Sequence, residues 1–191
     1  PNGAGKSTFI NILGGLVKKN TGDIKICGID IVKKTFTIKD VDIQQGDQSD
    51  YSFLNNLVNE YEGFDIIIDD GSHLAKHIIS SFKFLFPYLN NNGIYVIEDL
   101  QTSYFPRYGG SRINLNKKNS SMNFIKSLTD SINYEKNNRP YFKKKEFDGL
   151  IKSISFHQNI AFIYKGESMN YFYSNDFKEP FTNKIKKFFS K

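Results

Sequence analysis

The chain has 191 residues, 39% hydrophobic and 15% aromatic, enough apolar material for one domain with a full core. No apolar run approaches the roughly 18 residues that span a bilayer and no secretory signal opens the chain, so a cytoplasmic protein without stable membrane insertion is expected. The formal charge of +6 comes from 23 Lys and three Arg (Arg107, Arg112 and Arg139) in a chain rich in Asn, Ile and Phe, and no recognisable nucleic-acid motif accompanies it, which argues against a nucleic-acid partner.

The chain begins at Pro1 rather than Met and reads as a fragment or processed product. Its first residues, PNGAGKST, are most of a phosphate-binding loop. Gly5 serves a turn whose backbone N–H groups cradle phosphate oxygens, Lys6 reaches the β/γ phosphates, and the Ser7 and Thr8 hydroxyls suit Mg²⁺. Apolar Phe9, Ile10, Ile12, Leu13 and Leu16 predict a helix from Lys6 to about Val17. Asp23 to Gly28 reads as a buried strand, with Cys27 a small apolar residue in it; as the single cysteine, Cys27 excludes an intramolecular disulfide. Val41 to Gln45 reads as a second strand, and Ser52 to Tyr61 as a short helix turning Phe53, Leu54, Leu57 and Val58 inward.

The run FDIIIDD (Phe64 to Asp70) predicts a third strand, followed by a helix from about Leu74 to Leu85. Pro87 and the turn Asn90 to Gly93 close that helix and lead into a fourth strand, Ile94 to Glu98. Alternating buried strands and helices argue for a parallel sheet covered on both faces. The long loop from Gln101 to Asn119, with Tyr104, Phe105, Pro106, Arg107 and Tyr108, reads as a functional lid. A helix from Ser121 to Asn133 and a polar linker precede an antiparallel hairpin, Ile151 to Phe156 and Ile160 to Lys165. The tail, Phe181 to Lys191, reads as a terminal helix docking on its own domain.

Two apolar runs each end in adjacent carboxylates: Asp69 and Asp70, then Glu98 and Asp99. If the two strands are parallel neighbours, their ends lie roughly 5 Å apart at the side of the sheet where ligands bind. Alternation sends Asp69 and Asp70 to opposite faces, so one of them should join Glu98 or Asp99. Clustered carboxylates without cysteine suit an oxygen-loving ion such as Mg²⁺. His73, three residues past Asp70, is placed to act as a general base near neutral pH, whereas His77 reads as a surface residue and His157 as a solvated turn residue.

Residues 1 to 32 resemble the start of an ABC transporter ATPase, through the phosphate loop, helix and GDIKICGIDI strand. NLVNEYEGFD stands where that family's LSGGQ-like signature belongs, and Asp70 where its catalytic Glu belongs, so ATP hydrolysis is not implied. From about Gly28 to Gly166 the chain resembles the macrocin and mycinamicin type of sugar O-methyltransferase, through GIDI, GDQSD, FDIIIDDGSH, FPYLNNNGIYVIEDLQTSY, SSMNFIKSL and IKSISFHQNIAFIYKG.

That resemblance implies a Rossmann-like α/β class I methyltransferase sheet with a C-terminal antiparallel hairpin, lacking its first strand. It implies S-adenosylmethionine and Mg²⁺ as cofactors and a sugar or glycosylated small molecule as acceptor. Asp70, Glu98 and Asp99 would hold the metal, His73 would be the catalytic base, Asp30 would take the cofactor ribose, and Asp47 and Gln48 would lie near the adenine. The expected organisation is an ABC-like segment over 1–30, a methyltransferase domain over 31–170 and a basic aromatic tail over 171–191. The readings left open are a methyltransferase domain, an inactive hybrid of the same fold, and a nucleotide-binding fragment of an ABC transporter ATPase that uses Gly5, Lys6, Ser7 and Thr8.

Overall fold

The computed structural model describes residues 26–30, 41–134 and 144–166, apart from the side chains at 26, 28, 30, 41 and 43. The predicted helix over 6–17, the phosphate-loop residues Gly5, Lys6, Ser7 and Thr8, and the 181–191 tail lie outside the described residues. The chain divides into two compact units, Pro1–Asp47 and Gln48–Lys191. In the first, β1 (Ile26–Asp30) pairs in parallel with β2 (Val41–Gln45).

The second unit opens with α1 (Tyr51–Glu60), whose first orphan N–H groups are met by Asp50: its carboxylate accepts from Ser52 N and Phe53 N. Leu54, Leu57 and Val58 recur at the spacing of one helical face and are all buried. Next come β3 (Phe64–Asp69), α2 (Ala75–Leu85), a 3-10 turn carrying Pro87, and β4 (Leu89–Ile97). Two further 3-10 turns, Leu100–Tyr104 and Pro106–Tyr108, lead toward α3 (Ser121–Ile132), and β5 (Ile151–His157) and β6 (Ile160–Lys165) complete the unit.

These strands form a mixed sheet in the order β3-β4-β6-β5, a parallel pair extended by the expected antiparallel hairpin, whose β5 is an edge strand. In this sheet only β3 and β4 pair in parallel; the tight turn at Asn159 (φ 64) returns the chain so that β6, the second strand of the hairpin, lands antiparallel beside β4. The expected turn at Asn90–Gly93 lies inside β4 as a bulge, because Phe64 pairs with Leu89 and Ile66 with Ile94. Two residues of β3 thus face five of β4, and Asn92 adopts the left-handed conformation (φ 64) that a side-chain amide tolerates.

Tyr95, Ile97, Ala161 and Ile163 share one face of the sheet and form a single buried cluster with Leu54 and Val58 of α1, Ile78, Phe82 and Leu85 of α2, and Ile125 and Leu128 of α3. Phe82 is its hub, with the rings of Phe86, Tyr95, Phe124 and Phe147 at 4.7 to 5.4 Å. Among the described residues all three helices lie against this face; on the other face Val96 is 2% exposed and Ile66 42%. Lys165 ties the end of β6 to the start of β4, donating to the carbonyls of Pro87 and Leu89, each at 2.6 Å, and burial lowers the pKa of its ammonium. No helix among the described residues is long and apolar enough to cross a membrane.

Candidate metal centre

The parallel pairing of β3 and β4 brings their C-terminal ends together, and Glu98 N–H donates to Asp69 O at 3.0 Å one residue beyond β4. Asp69 turns toward the helices, where it is 7% exposed and accepts from Ser81 Oγ (2.7 Å), Gln48 Nε2 (3.0 Å) and Tyr95 OH (3.3 Å). Three donors compensate the loss of water around this carboxylate. Burial, and then the negative charge of Asp69, raise the Tyr95 phenol well above its ordinary pKa.

Asp70 lies half-buried beyond the strand end and meets residues from two sharp turns. His73 (φ 59) and Asp99 (φ 52) are both left-handed, a conformation uncommon outside glycine but several-fold enriched in Asp and His. The turns bring one ligand atom each from Asp70, His73 and Asp99 to within 4.8 Å of one another. His73 Nε2 lies 3.4 Å from Asp99 Oδ2, and Gln101 Nε2 donates to Asp99 Oδ1 at 3.0 Å. The backbone of Asp99 is fixed as well: its carbonyl accepts from Thr102 N (3.0 Å) and Thr102 Oγ1 (2.7 Å), and the next N–H, of Leu100, donates to Asn159 O at 3.0 Å.

Ser72, between Asp70 and His73, is braced on three sides. Its N–H donates to Gln48 Oε1 at 2.6 Å, its Oγ accepts from Leu74 N at 3.4 Å, and the same Oγ lies 2.9 Å from His77 Nδ1. His77, expected at the surface, is thus half-buried and engaged. On the other side of His73 the Tyr108 ring approaches edge-on at 6.5 Å, with the Arg107 guanidinium 4.8 Å from the Tyr108 ring centre. Arg107 and Arg112 both lie against Phe105, at 5.9 and 4.7 Å. The first half of the expected lid is therefore packed, with Thr102 and Ser103 buried, whereas Ile113 and Leu115 in its second half are exposed.

Of the site residues expected from sequence, the structure brings Asp70, His73 and Asp99 together. Glu98 is half-buried, adjacent in sequence to Asp99, and outside that group. Gln48 is engaged at both ends of its amide by Asp69 and Ser72. Asp47 is exposed beyond β2 in the first unit; the backbone of Asp30 closes β1, and its side chain lies outside the described set. Sequence reasoning missed Gln101, Ser81 and Tyr95. Gln101 follows the VIED run by two residues and was legible as a local partner, whereas Ser81 and Tyr95 reach Asp69 only through the fold.

The mixed sheet and its helices resemble a Rossmann-like methyltransferase fold. Superposition on MycE methyltransferase from the mycinamycin biosynthetic pathway, solved with Mg and SAH, gives a TM-score of 0.75 at 33% identity over 85% of this chain and 42% of that one. A MycE structure that also contains mycinamycin VI gives a TM-score of 0.73 with the same identity and coverage. In sequence the chain is 36% identical over 151 residues to the mycinamicin VI 2''-O-methyltransferase of Micromonospora griseorubida, covering 75% of this chain and 37% of that protein. It is 36% identical over 143 residues to the demethylmacrocin O-methyltransferase of Streptomyces fradiae, covering 74% and 36%. The chain thus spans little more than a third of the length of these relatives. A 63-residue match, 40% identical, relates 31% of the chain to 23% of an ABC transporter ATP-binding protein of Clostridium acetobutylicum. No family model matches.

Proposed function

We propose that this chain carries the catalytic part of an S-adenosylmethionine-dependent, Mg²⁺-assisted O-methyltransferase acting on a sugar hydroxyl of a glycosylated small molecule. The observation that carries the reading is the convergence of Asp70, His73 and Asp99 at the ends of β3 and β4, in a fold like that of enzymes solved with Mg and SAH. The donor set fits the ion, since carboxylate oxygens suit Mg²⁺. Asp70 and Asp99, with Glu98 as a third carboxylate, would hold it, and Asp30 and Asp47 are assigned to the nucleoside cofactor.

When bound, S-adenosylmethionine supplies an electrophilic methyl group and Mg²⁺ a charge that makes a hydroxyl more acidic. A neutral hydroxyl is a poor nucleophile, so the acceptor proton must leave as the oxygen–methyl bond forms. His73 takes that proton, its Nε2 lying 3.4 Å from the Asp99 carboxylate. Tyr108, edge-on to His73, and Arg107 beside it wall the approach of the acceptor. The test is calorimetry of Mg²⁺ and S-adenosylmethionine binding to the chain and to Asp70→Ala, together with transfer of a labelled methyl group to glycosylated macrolides. Binding of Mg²⁺ unchanged by Asp70→Ala, or transfer that survives EDTA, defeats the reading.

A second reading rests on the match to the ABC transporter protein: a nucleotide-binding segment using Gly5, Lys6, Ser7 and Thr8. Tight ATP binding that disappears in Lys6→Ala would favour it.

A further inference from the structure

We infer that Gln48 is a positioning residue: its amide is a strut between the buried Asp69 carboxylate and the Ser72 backbone, and it sets the turn that aims Asp70 and His73 at one point. The inference rests on the metal-assisted reading of that site. Asp69 and Asp70 are consecutive, yet one must stay buried on the helix side while the other joins His73 and Asp99. The backbone between Asp70 and His73 is only Gly71 and Ser72, so whatever holds those two residues fixes the angle between Asp70 and His73.

Gln48 is suited to hold them because an amide offers a donor and an acceptor at once. Nε2 donates to Asp69 Oδ1 at 3.0 Å while Oε1 accepts from Ser72 N–H at 2.6 Å. Asp69 in turn is anchored by Ser81 Oγ at 2.7 Å, so the strut stands on a fixed base. Gly71 makes room for it, since a Cβ there would overlap Gln48 Oε1. Partners one layer out from a ligand commonly govern its orientation and its metal affinity.

The experiment compares the native full chain with Gln48→Ala, Gln48→Met and Gly71→Ala, reading amide exchange and ¹⁵N spectra alongside Mn²⁺ binding by paramagnetic relaxation. In Gln48→Ala the Ser72 amide should exchange at least about tenfold faster, the His73 ring signals should shift, and Mn²⁺ affinity should fall about tenfold. Gln48→Met, which keeps the volume and removes the polar ends, should behave like Gln48→Ala, with Tyr95 and Ile163 amides as protected as in the native chain. Should the Gln48 variants fail to fold, Gly71→Ala reaches the strut from its exposed end and should give the same Ser72 and His73 changes. Native Ser72 protection and native Mn²⁺ affinity in Gln48→Met or Gln48→Ala would overturn the inference. If the native chain itself retains no Mn²⁺, the metal reading falls, and the strut is then decided by Ser72 exchange and the His73 signals alone.

Discussion

At the scale of single residues, Asp69 and Asp70 share a charge and a strand end but have opposite fates. Asp69 is enclosed by Ser81, Gln48 and Tyr95; Asp70 faces His73 and Asp99. In the metal-assisted reading the roles of base and ligand should separate on mutation. His73→Ala should lower turnover by about 10²-fold or more and leave Mg²⁺ binding nearly intact, as expected for loss of a general base. Asp99→Ala should weaken both together; single-turnover rates and metal titrations make the comparison. Tyr95 carries a pH dependence. Because its folded-state pKa is raised, the phenol's contribution to stability is complete below about pH 10, the unfolded value, and is lost as pH rises toward the folded value. Above pH 10 the unfolded chain releases a proton that the folded chain keeps. Thermal melts between pH 9 and 11 should therefore fall less steeply for Tyr95→Phe, which near neutrality costs about 1 kcal/mol for the lost hydrogen bonds.

At the scale of elements, the helices were the most legible part of the second unit. Leu54, Leu57 and Val58 declare the buried face of α1 by spacing alone, and α2 and α3 begin and end within a residue or so of their expected limits. The bulge in β4 was not legible. Asn90–Gly93 is a strong turn signal, but nothing local reveals that Leu89 already pairs with Phe64. The same limit applies to the site: alternation requires Asp69 and Asp70 to diverge, while the choice between them is made by Ser81 and Tyr95, 12 and 26 residues further on. Gln48 lies outside any helix or strand and carries no periodic signal, so its contact with Ser72 could not be read. The loop after β4 offers an element-scale test. A Cβ on Gly110 would overlap the carbonyl of Ser103, which accepts from Ser111 N at 3.1 Å, so Gly110→Ala must displace backbone rather than a side chain. A loss of about 1 to 3 kcal/mol is expected in chemical denaturation, as for an overpacked core position.

At the scale of the whole molecule, the sheet is joined from distant parts of the chain. β3 and β4 are linked through α2, but β6 reaches β4 only after the loop, α3 and β5 have been made. The Lys165 tie spans 78 residues to Pro87 and 76 to Leu89, the far side of that closure. Contacts across so long a loop are entropically costly to assemble early, so they belong to the late side of the folding barrier. Lys165→Met, which keeps the aliphatic stem and removes the ammonium, should then leave the refolding limb of a chevron almost unchanged and steepen no slope, while raising the unfolding rate. Equal slowing of refolding would place the tie in the folding nucleus instead. The two carbonyl bonds of one lysine thereby act as a kinetic latch: they set how long the assembled strand ends persist rather than how quickly they form.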